Sequence, residues 1–180
     1  MTRYAGRKAV VLGEATTIGL AIAKRLVEGG AQVVLTAGTA EERRGLRAEL
    51  GSSARVVAPS GLGDCLGPGT DVDLLFADTV ATARPLLPRL RDGGAVVLTT
   101  PGPPSTAVQA LAAELVSRSV RVNAVAPGCI EKPGGGGAPL PPLGRLGAAE
   151  EVARAALFLA TEATFTTGVR LPVDGGLSEP

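Results

Sequence analysis

Short apolar runs alternate with segments of helical periodicity along most of the chain, and this alternation limits the folds that it can adopt. Runs that predict strands lie at 8–12, 32–36, 55–58, 73–77, 95–100, 120–125 and 169–173. Between them, apolar spacing predicts helices at 17–29, 40–50, 81–91, 105–118 and 148–160, the third interrupted by Pro85 and Pro88. Strands that alternate with helices indicate a parallel sheet with helices on both faces. The pattern therefore predicts an α/β, doubly wound fold.

Length and composition indicate a single compact domain over residues 1–180. Hydrophobic residues make up 45% and the net charge is +1, so the charge balance shows no bias toward nucleic acid or an anionic membrane. No apolar run approaches the length of a membrane span, and 2% aromatic residues argue against a base-stacking surface. We therefore expect a cytoplasmic protein with a small-molecule ligand, not a nucleic-acid or membrane partner.

Two classes of site are excluded by the residues that the chain lacks. It contains no histidine, and its two cysteines, Cys65 and Cys129, are far apart without metal-ligand spacing. A zinc site and a Ser-His-Asp triad are therefore excluded, and no metal is expected. Cys129 is a nucleophile only if its thiolate is stabilised, and a buried, inert thiol is the preferred interpretation.

Two stretches of the second half carry a family resemblance. Residues 120–128 read VRVNAVAPG, and residues 142–177 read PLGRLGAAEEVARAALFLATEATFTTGVRLPVDGGL. Both resemble a short-chain dehydrogenase/reductase, and this resemblance implies a Rossmann-type sheet. In that family a Tyr and a Lys four residues apart carry the acid–base chemistry, helped by a Ser. This chain has a single tyrosine, Tyr4, three lysines and no Tyr-x-x-x-Lys.

The resemblance also shows where the catalytic turn is missing. Counted back from the VRVN motif, the family's Lys falls at Pro101 and its Tyr falls inside the fifth strand. We therefore expect deletions after strands three, four and five. The family's Ser maps to Thr100 or Pro101, so Thr100 is a candidate catalytic hydroxyl, with a structural threonine as the alternative. General acid–base catalysis, worth about 10²–10⁴-fold, must come from other groups if it operates.

The loop after the first strand partly matches the family's nucleotide-binding pattern. Gly13, Ile18 and Gly19 match, Thr17 replaces the middle glycine, and Glu14 adds a negative charge. Such glycines let the backbone approach a pyrophosphate at the start of the next helix. Thr16 is placed to hydrogen-bond a ribose or phosphate. The resemblance thus implies a cofactor site at Gly13, Thr16, Ile18 and Gly19.

The end of the second strand normally selects between the two nicotinamide dinucleotides. The chain reads Thr36-Ala37-Gly38-Thr39 there, and Gly38 stands where NADP-dependent relatives often have Arg. No acid occupies the selector position, so NADP(H) is the predicted cofactor, with no cofactor as the alternative. Arg43 and Arg44 can reach a 2′-phosphate, but on a helix surface they are more often solvated.

The fourth strand ends in Ala77-Asp78-Thr79-Val80, where the family has Asn-Asn-Ala-Gly. Ligands of doubly wound folds bind at such carboxyl ends, so Asp78 is a candidate acid or base. The alternative, which we favour, is an N-cap for the following helix.

A further cofactor contact is implied after the sixth strand. The sequence Pro-Gly-Cys-Ile-Glu-Lys matches a family pattern at Ile130, whose backbone contacts the nicotinamide carboxamide in relatives. Lys132 departs from the pattern and is a candidate replacement cation. The Gly- and Pro-rich segment 133–146 corresponds to the family's substrate lid, and a shortened connection or linker is the alternative.

Three functions remain open from these residues. The first is an unconventional enzyme of bacterial (secondary) metabolite biosynthesis, either an NADP(H)-linked oxidoreductase or a cofactor-free cyclase, dehydratase or isomerase. We favour it because Asp78, Thr100 and Glu131 keep polar groups at the strand ends. The second is an inactive nucleotide- or metabolite-binding protein, and the third is a partner of a full-length relative. The resemblance also implies a homo-oligomer, a dimer or tetramer.

Overall fold

The structure, a computed structural model, describes residues 3–13, 17–99, 104–131 and 139–177. Seven parallel strands of the described chain form one sheet in the order β3-β2-β1-β4-β5-β6-β7. The strands are β1 Lys8–Val11, β2 Gln32–Thr36, β3 Ala54–Val57, β4 Val72–Ala77, β5 Leu90–Leu98, β6 Arg121–Pro127 and β7 Arg170–Val173. The helices are α1 Thr17–Glu28, α2 Ala40–Leu50, α3 Leu62–Leu66, α4 Val80–Ala83, α5 Ser105–Leu115 and α6 Ala149–Thr161. The predicted Rossmann-type, doubly wound domain is confirmed.

The strand order reverses at β1, which pairs with β2 on one side and with β4 on the other. Val10 is opposite both Val34 and Leu75 in the register of these pairs. Successive connections leave β1 and β4 in opposite directions, so a crevice opens beyond their carboxyl ends, where doubly wound folds bind ligands. The polar residues that follow β1, β2 and β4 therefore meet at one place.

The core has two layers, one on each face of the sheet. Alternate side chains of a strand point to opposite faces, so Ala9 and Val11 lie in one layer and Val10 and Leu12 in the other. Helices α1, α2 and α6 cover the first layer, and α3, α4 and α5 cover the second. Because both faces are covered, the central strands are continuous apolar runs.

The connections on either side of β4 are short. Helix α3 has five residues, and the four residues of α4 continue into a 3₁₀ segment, Arg84–Arg89. The helix predicted over 81–91 is therefore wrong in its second half, since Pro88 has no N–H to donate inside a helix. Strand β5 begins at Leu90, five residues before the predicted start. One-turn helices leave an open cleft on this face of the sheet.

Tyr4 is a core residue and not a catalytic one. Its side chain is 6% exposed and lies against Gly29, at the end of α1. Its backbone N–H donates to the Gly29 carbonyl at 2.7 Å. Helix α1 starts at the carboxyl end of β1 and returns to the amino end of β2, so Tyr4 lies at the opposite edge of the sheet from the crevice.

None of the helices in the described residues is long and apolar enough to cross a membrane.

Candidate functional site

A cavity of about 700 Å³ opens at the carboxyl ends of β1, β2 and β4. Apolar side chains from the loop before α3 and from the segment after α4 form much of its wall. The charged residues among those that line it are Asp78 and Arg89. The lining residues are Leu12, Gly13, Thr36, Gly38, Pro59, Leu62, Gly63, Asp78, Thr82, Pro85, Leu86 and Arg89. The cavity therefore combines an apolar interior with one carboxylate near the first glycine of the loop.

Gly13 and Asp78, both singled out from the sequence, are in contact. A Cβ atom added to Gly13 would lie 3.2 Å from both Cβ and Cγ of Asp78 and 3.4 Å from its Oδ2. Gly13 also has φ of 120°, in a region that L-residues rarely adopt. Gly13 thus lets the chain turn and lets the Asp78 carboxyl approach the backbone. Thr16, the predicted ribose or phosphate contact, lies outside the described residues.

Asp78 is not the N-cap of the following helix, so that interpretation is wrong. Thr79 is the N-cap of α4, since its Oγ1 accepts a hydrogen bond from the Thr82 N–H at 3.1 Å. Oδ1 of Asp78 instead accepts the Thr79 N–H at 2.8 Å. This bond holds the carboxyl group at the mouth of the cavity, half-buried, with Oδ2 toward Gly13.

The first turn of α1 follows the loop that the sequence analysis assigned to cofactor binding. The helix begins at Thr17, so Ile18 and Gly19 lie in the turn that the sequence predicted for cofactor binding. Backbone N–H groups of a first helical turn have no carbonyl partner within the helix and attract anions. Thr17, which replaces the middle glycine of the family pattern, is the first residue of this helix.

Arg43 reaches back to the end of β2, which the sequence analysis did not anticipate. Its Nη1 donates to the carbonyls of Ala37 at 3.0 Å and Gly38 at 2.8 Å, so the interpretation of Arg43 as a solvated residue is wrong. The adjacent Glu42 carboxylate accepts the Thr39 N–H at 2.9 Å, and this bond keeps the pKa of Glu42 below its usual range. A guanidinium group is therefore fixed beside the selector position.

Ile130 presents a hydrogen-bond donor and an acceptor on one side of its backbone. Gly147 donates to the Cys129 carbonyl at 2.9 Å, and Glu131 donates to the Gly147 carbonyl at 2.9 Å. In such a parallel bridge the N–H and C=O of the intervening residue point the other way. Those two groups of Ile130 have no partner among the described residues, and a primary carboxamide is complementary to them.

The described part of the 133–146 segment, residues 139–146, is held against the loop that follows β7. The Leu143 N–H donates to the Gly175 carbonyl at 3.1 Å, and the Gly144 N–H donates to Pro141 at 2.8 Å. A cavity of about 330 Å³ lies between these loops, lined in part by Cys129 and Asp174. The remaining residues of the segment, and Lys132, lie outside the described residues.

Hydrogen bonds to the Glu151 carboxylate connect the same segment to the start of α6. Arg145 forms two hydrogen bonds with Glu151, at 2.8 and 2.9 Å, and the Ala148 N–H donates to Glu151 at 2.9 Å. The bonds from Arg145 above all, and the one from Ala148, lower the pKa of Glu151 from 4.5 to about 2.

Because the pKa of Glu151 is lowered in the folded protein, its contribution to the free energy of unfolding is lost at acid pH. A carboxyl whose pKa is lower in the folded state stabilises the protein above its unfolded pKa and loses that contribution as pH falls through the folded pKa. We expect Glu151→Gln to melt at a lower temperature than wild type at pH 7, with the difference shrinking between pH 4.5 and about 2. Thermal unfolding of both proteins across this range is the measurement. A difference that does not change with pH would contradict the assignment.

The candidate catalytic residues are not brought together in the described structure. Thr100 lies outside the described residues, and Asp78 lines the β1–β2–β4 cavity without lining the cavity beside Cys129. Sequence reasoning missed Thr36 and Thr82 as lining residues. The available signal was a threonine at the end of the apolar run 32–36, and in the structure Thr36 is 3% exposed.

Comparison with known proteins finds similarity to dehydrogenases and reductases. A family model described as enoyl-(acyl carrier protein) reductase matches residues 105–178. The L-fucose dehydrogenase of Oryctolagus cuniculus is 30% identical over 243 aligned positions, covering 97% of this chain and 86% of that protein. The 3-oxoacyl-[acyl-carrier-protein] reductase FabG of Thermotoga maritima is 47% identical over 76 residues, 37% of this chain and 31% of that protein.

Solved structures agree with these relatives. A short-chain dehydrogenase/reductase family protein superposes with a TM-score of 0.80 and 29% identity, covering 97% of this chain and 98% of that chain. The Serratia marcescens short-chain dehydrogenase/reductase gives 0.84 with 20% identity, 98% of this chain and 100% of that chain, and so shows the fold alone. The chain therefore belongs to the short-chain dehydrogenase/reductase family.

Proposed function

We propose that the protein is an unconventional enzyme of this family that binds NADP(H) and acts in bacterial metabolite biosynthesis. The observation that carries the proposal is the large cavity at the carboxyl ends of β1, β2 and β4, which a guanidinium group adjoins at the selector position. The matched relatives are named as dehydrogenases and reductases, and oxidoreductases of this kind use a nicotinamide cofactor.

The residues present fit a dinucleotide at its two ends. Arg43 has further N–H donors beyond those it gives to Ala37 and Gly38, and these suit a 2′-phosphate. Gly13, Ile18 and Gly19 would lie along the pyrophosphate, and the backbone of Ile130 would hold the carboxamide. When bound, the nicotinamide supplies or accepts the hydride.

The chemistry of proton transfer must differ from that of conventional relatives. No Tyr-x-x-x-Lys exists in the sequence, and the single tyrosine is buried at the opposite edge of the sheet. Asp78 lines the adenosine half of the crevice, so we assign it to ligand binding. Thr100, which follows β5 in the sequence and lies outside the described residues, stays the candidate hydroxyl. We infer that the reaction depends on positioning of substrate and cofactor more than on acid–base catalysis.

Calorimetric titration with NADPH, with NADH as the comparison, tests the proposal. We expect micromolar binding of NADPH and at least tenfold weaker binding of NADH, because Arg43 adds a charge-assisted contact to the 2′-phosphate. Arg43→Met should remove most of this preference. Its exposed neighbour Arg44 provides the matched control, Arg44→Met. No binding at millimolar NADPH would overturn the cofactor assignment and favour a cofactor-free cyclase, dehydratase or isomerase.

An inactive binding protein is the second candidate function. The absence of Tyr-x-x-x-Lys from the sequence favours it. Cofactor binding without turnover of carbonyl, imine or hemiaminal substrates would support this function over the first.

We also infer that the chain is a shortened member of its family. The alignment with the rabbit L-fucose dehydrogenase runs over 243 positions, more than the 180 residues of this chain. Gaps must therefore fall in this chain, and the one-turn helices α3 and α4 are consistent with gaps in the connections after β3 and β4.

We propose a homo-oligomer that forms through the edge of the sheet at β7. Among the described strands, β7 pairs with β6 alone, and Phe165 beside it is fully exposed. Phe158 and Val169 add exposed apolar area on α6 and before β7. Sedimentation of wild type and Phe165→Asp tests this, and a wild type that sediments as a monomer would overturn it. A cytoplasmic location also remains a proposal, which cell fractionation tests.

A further inference from the structure

A second cavity lies at the edge of the sheet where β1 and β2 begin, opposite the crevice. It has a volume of about 360 Å³, and the first residues of both strands line it. It shares no lining residue with the β1–β2–β4 cavity. We call it the amino-edge cavity, and its lining includes Lys8, Val10, Gln32, Val34, Arg55 and Cys65.

The cavity is open because α3 is too short to cover this face of the sheet. A helix of five residues is about 7.5 Å long, whereas five residues of strand, as in β2, span about 16 Å. Val34 of β2 is accordingly only partly buried, although Val33 and Leu35, which point to the other face, are buried. An apolar part of the sheet is thus accessible to a ligand.

The strand register places cations beside this apolar area. Val10 is opposite Val34, and Val34 is opposite Arg55, so these residues lie in one row across β1, β2 and β3. Lys8 precedes Val10 by two residues and therefore points to the same face. The floor of the amino-edge cavity is apolar, with a guanidinium group on one side and an ammonium group toward the edge of the sheet.

The charged groups of the lining are all positive. Neither Asp nor Glu is among the described residues that line the cavity. Asp73 is outside the lining, where it accepts the Lys8 backbone N–H at 2.8 Å and pairs with Arg91 at 3.1 Å. Arg55 gives one N–H to the Cys65 carbonyl at 3.3 Å, so further guanidinium donors remain for a ligand. The cavity is therefore complementary to an anion.

We propose that the amino-edge cavity is a second binding site of this protein, and that it binds a small monocarboxylate with a compact apolar group. Arg55 can donate two parallel N–H bonds to a carboxylate, and Lys8 adds a second positive charge. The apolar group would cover Val10 and Val34. Ligand sites have volumes of about 300–1,000 Å³, and this one is at the lower end, so one ring is a suitable size. The site lies at the other edge of the sheet from the proposed cofactor and does not depend on it.

Cys65 provides a direct readout, because it is half-buried and lines the amino-edge cavity. Cys129, also half-buried, lines the separate cavity beside the loop after β7 and is the internal control. Alkylation by iodoacetamide, in which the thiolate displaces iodide, is followed at both residues by peptide mass spectrometry. Millimolar benzoate should slow alkylation of Cys65 by about fivefold and leave Cys129 unchanged. Benzamide has the ring without the charge, and acetate has the charge without the ring, so both should protect Cys65 much less.

Substitution of the cations tests the charge requirement. Lys8→Gln should raise the benzoate concentration that gives half-protection about fivefold, and Arg55→Met about tenfold. Because Arg55→Met also removes the bond to the Cys65 carbonyl, Lys8→Gln is the variant that leaves α3 in place. Lys24→Gln is the matched control, since Lys24 is on α1, which covers the other face of the sheet, and should change half-protection by less than about twofold.

Three results would overturn this inference. The first is unchanged alkylation of Cys65 in millimolar benzoate. The second is equal protection by benzamide, which would show that the charge is not recognised. The third is equal slowing at Cys129, which would show a general effect on the protein and not occupancy of the amino-edge cavity. None of these results bears on the proposed cofactor site, which the NADPH titration tests separately.

Discussion

Gly29→Ala is expected to lower the free energy of unfolding by about 3 kcal/mol, because the new methyl group collides with the Tyr4 ring and overpacks the core. A Cβ on Gly29 would lie 2.1 Å from Cδ2 and 2.8 Å from Cε2 of Tyr4. The ring is 6% exposed and belongs to the core layer under α1, so it cannot shift without leaving that layer. Urea unfolding of wild type and variant measures the loss.

Two further variants separate this collision from a general effect of alanine. A Cβ added to Gly45 on α2 would meet nothing within 4 Å apart from neighbouring residues of its own helix, so Gly45→Ala should be stabilising by up to about 1 kcal/mol, since alanine favours helix. In a Tyr4→Ala background, Gly29→Ala should cost much less, because the ring is no longer there. A Gly29→Ala protein as stable as wild type would show that Tyr4 does not fill this position.

The strands of the central sheet could be predicted because each is buried on both faces. β1 and β2 read as continuous apolar runs, and in the structure they pair in parallel from Lys8 opposite Gln32. The family resemblance added a function for one edge of the sheet, namely ligand binding in a crevice at the end of β1. Both inferences depend on local composition, which a single sequence displays directly.

The start of β5 could not be predicted, because its residues are unfavourable for a strand. Leu90-Arg91-Asp92-Gly93-Gly94 contains Asp and two glycines, which strands rarely contain. Leu90 nevertheless pairs with Val72, and the register then shifts before Leu74 pairs with Ala95. Tertiary pairing with β4 therefore overrides local propensity.

The site was predicted in part, and the missing part consists of long-range contacts. Gly13 and Asp78 each follow a strand, so their common edge could be expected, but their contact depends on the β1–β4 register. Arg43 was misjudged because its reach to the Ala37 and Gly38 carbonyls depends on how α2 leaves the sheet. Hydrogen bonds of this kind have no signature in residue order.

Arg121→Met is expected to destabilise the protein by about 3 kcal/mol, since three carbonyl groups at the end of α6 would lose a charged donor. The Arg121 guanidinium donates to Leu159 at 2.6 Å, Ala160 at 2.6 Å and Ala163 at 3.0 Å. These carbonyls lie at the negative end of the helix, where a cation is favourable. Burial, and the cation of Arg7, lower the pKa of Arg121, so these contacts must also offset its desolvation.

Arg121→Lys should give an intermediate loss, because one ammonium group cannot match the planar fork, which donates to four carbonyls including that of Thr166 at 3.5 Å. Arg154→Met, at an exposed position of α6, is the matched control and should stay within about 0.5 kcal/mol of wild type. Urea unfolding measures the overall loss, and hydrogen exchange of the Glu162 and Ala163 amides reports the last turn of α6. If those amides exchange faster while the unfolding midpoint is unchanged, Arg121 stabilises the helix end alone. If both change together, the end of α6 unfolds with the sheet, as its contact with β6 through Arg121 predicts.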